Sequence, residues 1–365
     1  MGLVLMSDNI PAEQVLFTNY IKYDRLTQMV EETFKGSSAE SVNIFIDIYS
    51  MIRNVYSNES FFNDDKLLLS SSLINLCAHI RHFFRNRYRV ETKIFLVYSN
   101  NIPEYNKKIW FGYNSMHEAV LKATSTAKLT NYDHPIIASI NALETITPYL
   151  PDIYFVKTDF ESGLKIYDII CRNEADGNTD PNIIFSTDPY LYQLVTMANQ
   201  TYIFRPKKYQ SKDLSYVVSS ENLLKVLFEI RKVKIDPKIF SLNAGIYSLL
   251  LTLSRCPERS IKAFLNLPTA SEIIYSGVSG HRILNGYNSN TQLIWNSLDR
   301  SSFDDKYSYD LFERRFKVID LLSQYFVFMN TNHEDLKLIN KIDSDTVREI
   351  NNTYYKKYPL DLNRL

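Results

Sequence analysis

Five short apolar runs, each too brief for a core helix, constrain the fold of this chain most. They are residues 42–48 (VNIFIDI), 93–98 (KIFLVY), 153–157 (IYFVK), 182–187 (NIIFST) and 201–204 (TYIF). Strands covered by helices on both faces read as near-continuous apolar stretches, and such strands belong to parallel sheets. Helical spacing separates them, at 64–88, 135–150, 161–172 and 191–198, with a polar loop at 174–181. A further helical pattern at 13–34 is broken by Gly36, Ser37 and Ser38, and beyond residue 204 the pattern is mainly helical. The expected fold class is α/β: a mostly parallel twisted sheet with helices on both faces, plus a helical C-terminal region.

Charge narrows the function classes. Lys+Arg and Asp+Glu both total 41, so the formal net charge is zero. That balance argues against a general polyanion binder, whose affinity rests on neutralised phosphates, but leaves room for a local basic face. Gly (9) and Pro (12) are scarce, so long flexible linkers are not expected. The abundance of Tyr (26) follows from A/T-rich codons, as in many viral and phage genomes, and says nothing of mechanism. Cys77, Cys171 and Cys256 form no CxxC or Cys/His spacing, which suits free thiols in a reducing compartment. The N-terminus has no basic n-region, and no apolar run approaches the ~18–20 residues that span a bilayer. The expected location is therefore the cytoplasm (the host's, for a viral chain), with no membrane partner.

Acids at the strand ends carry the chemical information. Asp47 closes the first run, Asp159 and Glu161 follow the third, and Asp188 follows the fourth. In a doubly wound sheet, ligands bind beyond the carboxyl ends of the strands. Carboxylates converging there are the ligands expected for Mg²⁺ or Mn²⁺. Two such ions about 3.5–4 Å apart hydrolyse phosphodiesters by activating water and stabilising the leaving oxygen. One Asp at one strand end is more often an N-cap or turn residue. Three at successive strand ends carry more weight.

These segments resemble the 5′-nuclease (flap endonuclease) and PIN-like superfamily. Residues 44–54 (IFIDIYSMIRN) are similar to its first metal motif, and 158–169 (TDFESGLKIYDI) to its G-F/V-E-A-D-D-x-I motif. Residues 185–195 (FSTDPYLYQLV), trailed by YIFRP, are similar to V-S-x-D-K-D-L-L-Q-L-V. Residues 253–274 lie where the family has a glycine-rich helix–turn–helix that grips duplex DNA. The resemblance implies catalytic and metal-binding roles for Asp47, Glu161 and Asp188, with Asp159 as a helper ligand. It also shows departures. Gly163, Leu164 and Tyr190 stand where the family has aspartates, Ser99 replaces the acid ending the second strand, and Cys256 and Arg259 replace later acids. Asp168 lies two helical turns from the strand end, too far to substitute. The remaining acids suit no ion or one weakly bound Mg²⁺ or Mn²⁺.

The resemblance thus implies a catalytically defective nuclease-like protein that binds nucleic acid, DNA ahead of RNA, or serves in a larger assembly. Two alternatives stay open: an active Mg²⁺- or Mn²⁺-dependent 5′-exonuclease, flap endonuclease or RNase H-like enzyme, and a purely protein-binding structural component. Lys107, Lys108 and Trp110 mix basic and aromatic character as single-strand binding requires. Arg205, Lys207 and Lys208 form a second basic cluster after the fifth strand. The basic run 79–89 reads as a phosphate or partner patch, or as a solvated helix C-terminus favoured by the macrodipole. The expected division is an N-terminal helical extension (1–40), the α/β core (41–240), a degenerate helix–turn–helix region (241–285) and a helical extension (286–365). That last extension covers the core or docks a protein partner.

Overall fold

A computed structural model describes residues 27–28, 30–31, 39–51, 68–99, 104–109, 135–205, 208–209, 212–213, 216–223, 244, 247–248, 251–252, 306–331, 341, 343–356 and 359–365. The helical run at 13–34 is seen only at residues 27, 28, 30 and 31, all helical. Most of 241–285, including Cys256 and Arg259, lies outside the described residues, as do Trp110 and Lys207.

The apolar runs form the strands β1 (Ser41–Asp47), β2 (Glu91–Ser99), β3 (Ile153–Thr158), β4 (Asn182–Phe185) and β5 (Thr201–Arg205). Between and after them stand α1 (Leu68–Tyr88), α2 (Glu104–Ile109), α3 (Pro135–Ile146), α4 (Ser162–Ala175) and α5 (Leu194–Met197). A hairpin of β6 (Lys208–Tyr209) and β7 (Lys212–Asp213) and an edge strand β8 (Tyr216–Val218) follow, then α6 (Lys306–Ile319), α7 (Leu321–Thr331) and α8 (Ser344–Tyr354). The six-stranded sheet runs β3-β2-β1-β4-β5-β8, parallel throughout except for the antiparallel β5–β8 pair.

Three elements differ from the sequence reading. The helix of 135–150 stops at Ile146 and continues as a 3-10 turn, Thr147–Tyr149, because Pro148 offers no N–H for the α-helical ladder. The helix of 191–198 is a 3-10 helix, Pro189–Gln193, running into the single turn of α5. The region after residue 204 is not purely helical, since β6, β7 and β8 lie there. Runs of two or three residues leave no periodicity to read.

The strands' pleat feeds two cores, because successive side chains point to opposite faces. Ile44 and Ile46 of β1, Ile94, Leu96 and Tyr98 of β2, and Ile183 and Phe185 of β4 pack with α1 and α3. Phe45, Phe95, Val97, Ile184 and Ile203 face the other way, onto α4, the 3-10 helix and α7. Helix α4 ends in a Schellman motif. Gly177, at φ 80°, donates its N–H to Glu174 O (3.0 Å) and Asn178 N–H reaches Asn173 O (2.9 Å).

The C-terminal residues close the first core. Val347, Tyr355 and Leu360 are buried in it, and Tyr355 Oη donates to Ser70 Oγ of α1 at 3.0 Å. Within the basic run, Arg81 is buried and clamps this closure. Its guanidinium donates to Leu365 O at 2.7 Å and to Pro151 O, and pairs with Asp152 at 3.6 Å. Arg85 and Arg87 are exposed and paired with Glu91 and Glu31, as a solvated helix end would have them. No described helix is long and apolar enough to cross a membrane.

Candidate functional site

The strand order places a switch point between β1 and β4. From β1 the chain moves outward through β2 and β3, then returns to build β4 and β5 on the opposite side. The elements following these strands pack on opposite faces of the sheet, α1 in the first core and the 3-10 helix in the second. A doubly wound sheet takes its ligands in the crevice at such a point, beyond the carboxyl ends of the strands. Ile46 is in register with Phe185, so Asp47 and Ser186 stand side by side at its floor.

Asp47 is 1% exposed and held by hydroxyls on both oxygens. Ser162 Oγ, from the first turn of α4, donates to Oδ1 at 3.1 Å, and Ser186 Oγ, just past β4, donates to Oδ2 at 3.0 Å. Ser186 Oγ also lies 2.9 Å from Ser50 Oγ, which accepts the Thr187 N–H, while Thr187 Oγ1 donates to Ser50 O at 3.0 Å. Burial pushes the Asp47 carboxyl up to about 7, with the charge of Asp188 adding to the rise and the Ser186 and Ser162 hydroxyls opposing it.

Asp188 is equally buried. As the N-cap of the 3-10 helix it accepts the Tyr190 N–H at Oδ1 (3.0 Å), and its own N–H reaches Ser186 Oγ (3.1 Å). Glu161 is the buried N-cap residue of α4, without a side-chain cap bond. Asp159 is exposed, on the turn leaving β3. Asp168 serves a different purpose: it accepts from Lys165 Nζ at 3.1 Å and from Arg172 Nε at 3.0 Å, in a largely buried ion triad.

Gly163, Leu164 and Tyr190 lie among apolar side chains. A Cβ on Gly163 would stand 2.3 Å from Leu191 Cδ2 and 3.7 Å from Leu321 Cδ1 of α7. Leu164 and Tyr190 belong to the second core, and Ser99 is buried at the end of β2 opposite Thr158 of β3. Among the described residues, no group of three or more His, Cys, Asp or Glu side chains is placed to hold a metal ion.

The basic candidates divide. Lys108 is exposed and Lys107 half-buried on α2, whose Asn106 is buried and donates to Gln324 Oε1 of α7 at 3.0 Å. Arg205 is engaged within the fold. It donates to Tyr192 Oη at 2.7 Å and lies over the Tyr216 ring at 5.7 Å. Lys208 stands in β6 of the hairpin.

Two glutamines escaped the sequence reading. Gln193 Nε2 donates to Tyr190 O (3.1 Å) and Ile319 O (3.0 Å), while its Oε1 accepts from Ser248 Oγ (2.6 Å) and Leu321 N (2.9 Å). Gln324 Nε2 donates to Tyr190 Oη (3.0 Å) and Val318 O (2.6 Å). Together they bolt the turn after Asp188 to the α6–α7 junction. A lone polar residue inside an apolar helical pattern was the available signal, and the partners that join the two regions, Ile319 and Leu321 for Gln193 and Tyr190 for Gln324, lie more than a hundred residues away.

No protein-family model and no curated protein matches the chain. Among solved structures, T5 5′-exonuclease with bound divalent zinc is similar to it, at 14% identity and a TM-score of 0.47, over 78% of this chain and 91% of that one.

Proposed function

We propose that this chain is a nuclease-like protein that binds nucleic acid at the switch-point crevice and has lost the metal-dependent cleavage step. The observation that carries this reading is the setting of Asp47, which is 1% exposed and held in place by a serine hydroxyl donating to each of its oxygens. A hard divalent ion needs ionised carboxylates free to turn toward it. The apolar filling around Gly163 and Tyr190 supports the same reading, since further acids there would have to displace Leu191. The donor set fits no two-ion centre, since no three of Asp47, Asp159, Glu161 and Asp188 are grouped to hold even one ion. Lys107 and Lys108 would supply phosphate contacts.

The test is incubation of labelled flap, nicked and single-stranded DNA with wild type and Asp188→Ala, in Mg²⁺ and in Mn²⁺. Salt-sensitive binding by both proteins without cleavage is expected. Cleavage by the wild type alone would establish an active enzyme instead. Absence of both binding and cleavage would favour the protein-binding component, a reading supported by the exposure of Leu322, Phe326 and Met329 on one face of α7.

A further inference from the structure

The lysines of α2 and the Asp188 turn come from distant parts of the chain, yet one side chain of the C-terminal extension touches the supports of both. Gln324 of α7 accepts from Asn106 at 3.0 Å, one residue before Lys107. It also donates to the Tyr190 hydroxyl at 3.0 Å, two residues after Asp188. Its third bond, to Val318 O at 2.6 Å, anchors it to the end of α6. Asn106, Gln324 and Tyr190 are each at most 3% exposed. Water therefore does not replace these bonds when one is broken.

Helix α2 is six residues long, below the length at which a helix persists on its own sequence, so tertiary contacts must fix its position. It packs on α6, and Asn106 is its polar anchor to α7. We infer that Asn106 and Gln324 are positioning residues: they hold the Lys107–Lys108 edge of the crevice in register with the Asp188 turn, making α7 part of the nucleic-acid-binding site. This rests on the binding function proposed above and assigns the extension a place in it. Two lysines on a short helix contact adjacent phosphates only if the helix is fixed relative to the rest of the footprint.

The experiment measures binding of fluorescein-labelled single-stranded DNA across a KCl series, with thermal melting and amide exchange of α2 on the same proteins. Four are compared: wild type, Lys107→Ala/Lys108→Ala, Asn106→Leu and Gln324→Met. Asn106→Leu leaves the bonds of Gln324 to Tyr190 and Val318 untouched, which guards against a variant that simply fails to fold. The double lysine variant should lower the salt slope by about 1.4, two single-strand phosphate contacts at about 0.7 each. Asn106→Leu should lower it by a comparable amount and expose α2 amides to exchange, while still melting cooperatively. Gln324→Met should do the same with a larger loss of melting temperature. A salt slope for Asn106→Leu equal to that of wild type, with only its melting temperature reduced, would overturn the positioning role and leave the binding function standing. A double lysine variant indistinguishable from wild type would remove α2 from the site. A wild type that binds no DNA would overturn both.

Discussion

A carboxyl group shut away from water and set beside a second carboxylate binds its proton more tightly than it does in the unfolded chain. For Asp47 the ordinary value of 3.8 rises to about 7, so between these limits the folded protein holds more protons than the unfolded one. Stability therefore falls as pH rises across this window, and the full penalty, at most about 4 kcal/mol, is present above it. His79 works in the opposite sense. Burial and the neighbouring Arg364 hold it down to about 4, so its contribution is lost as pH falls from about 6.5. The difference between wild type and Asp47→Asn isolates the carboxyl. Urea melts at pH 5 and pH 8 should show the variant gaining on wild type at the higher pH, and an unchanged difference would place the titration elsewhere. Asp47 and Asp188 stood out in the sequence because each lies at the end of an apolar run. Ser50, Ser162 and Ser186 did not, because a hydroxyl that meets a carboxylate across the sheet looks in sequence like any turn serine.

At the scale of elements, the turn between β4 and α5 matters more than its length suggests. It carries Asp188 at its start and Gln193 at its end, and Leu191 between them fills the space beside Gly163. Alanine is ordinarily better than glycine in a helix by up to about 1 kcal/mol. Gly163→Ala should nonetheless destabilise the protein, by about 1–3 kcal/mol, because the new methyl meets the buried Leu191 side chain at 2.3 Å. Chemical denaturation measures the change, and a stabilised variant would mean that Leu191 has room to swing aside. The parallel strands were readable because burial on both faces removes polar residues from them. The 3-10 form of residues 189–193 was not, since its apolar spacing matches an α-helix and only the proline at its start marks the difference. Edge strand β8 was missed for brevity: three residues gain their strand character from pairing with β5.

Over the whole molecule, the C-terminal residues are a structural layer rather than an appendage. Arg81 ties α1 to the turn before β3 and to Leu365, across 70 and 284 residues of sequence. Arg81→Met would leave two part-buried carbonyl oxygens without this donor, and a loss of about 1–3 kcal/mol is expected in equilibrium urea unfolding. A change below half a kcal/mol would show the closure to be held by its apolar contacts alone. From sequence the run around Arg81 read as one basic surface, because burial of a single arginine among exposed neighbours leaves no mark in composition. Order of assembly follows from the same long separations. The hydroxyl bonds to Asp47 reach 115 and 139 residues along the chain, so a nascent polypeptide that has already paired β1 with β2 still lacks both serines. Until Ser162 and Ser186 have left the ribosome, Asp47 stands at the end of an unfinished sheet without either of its hydroxyl partners.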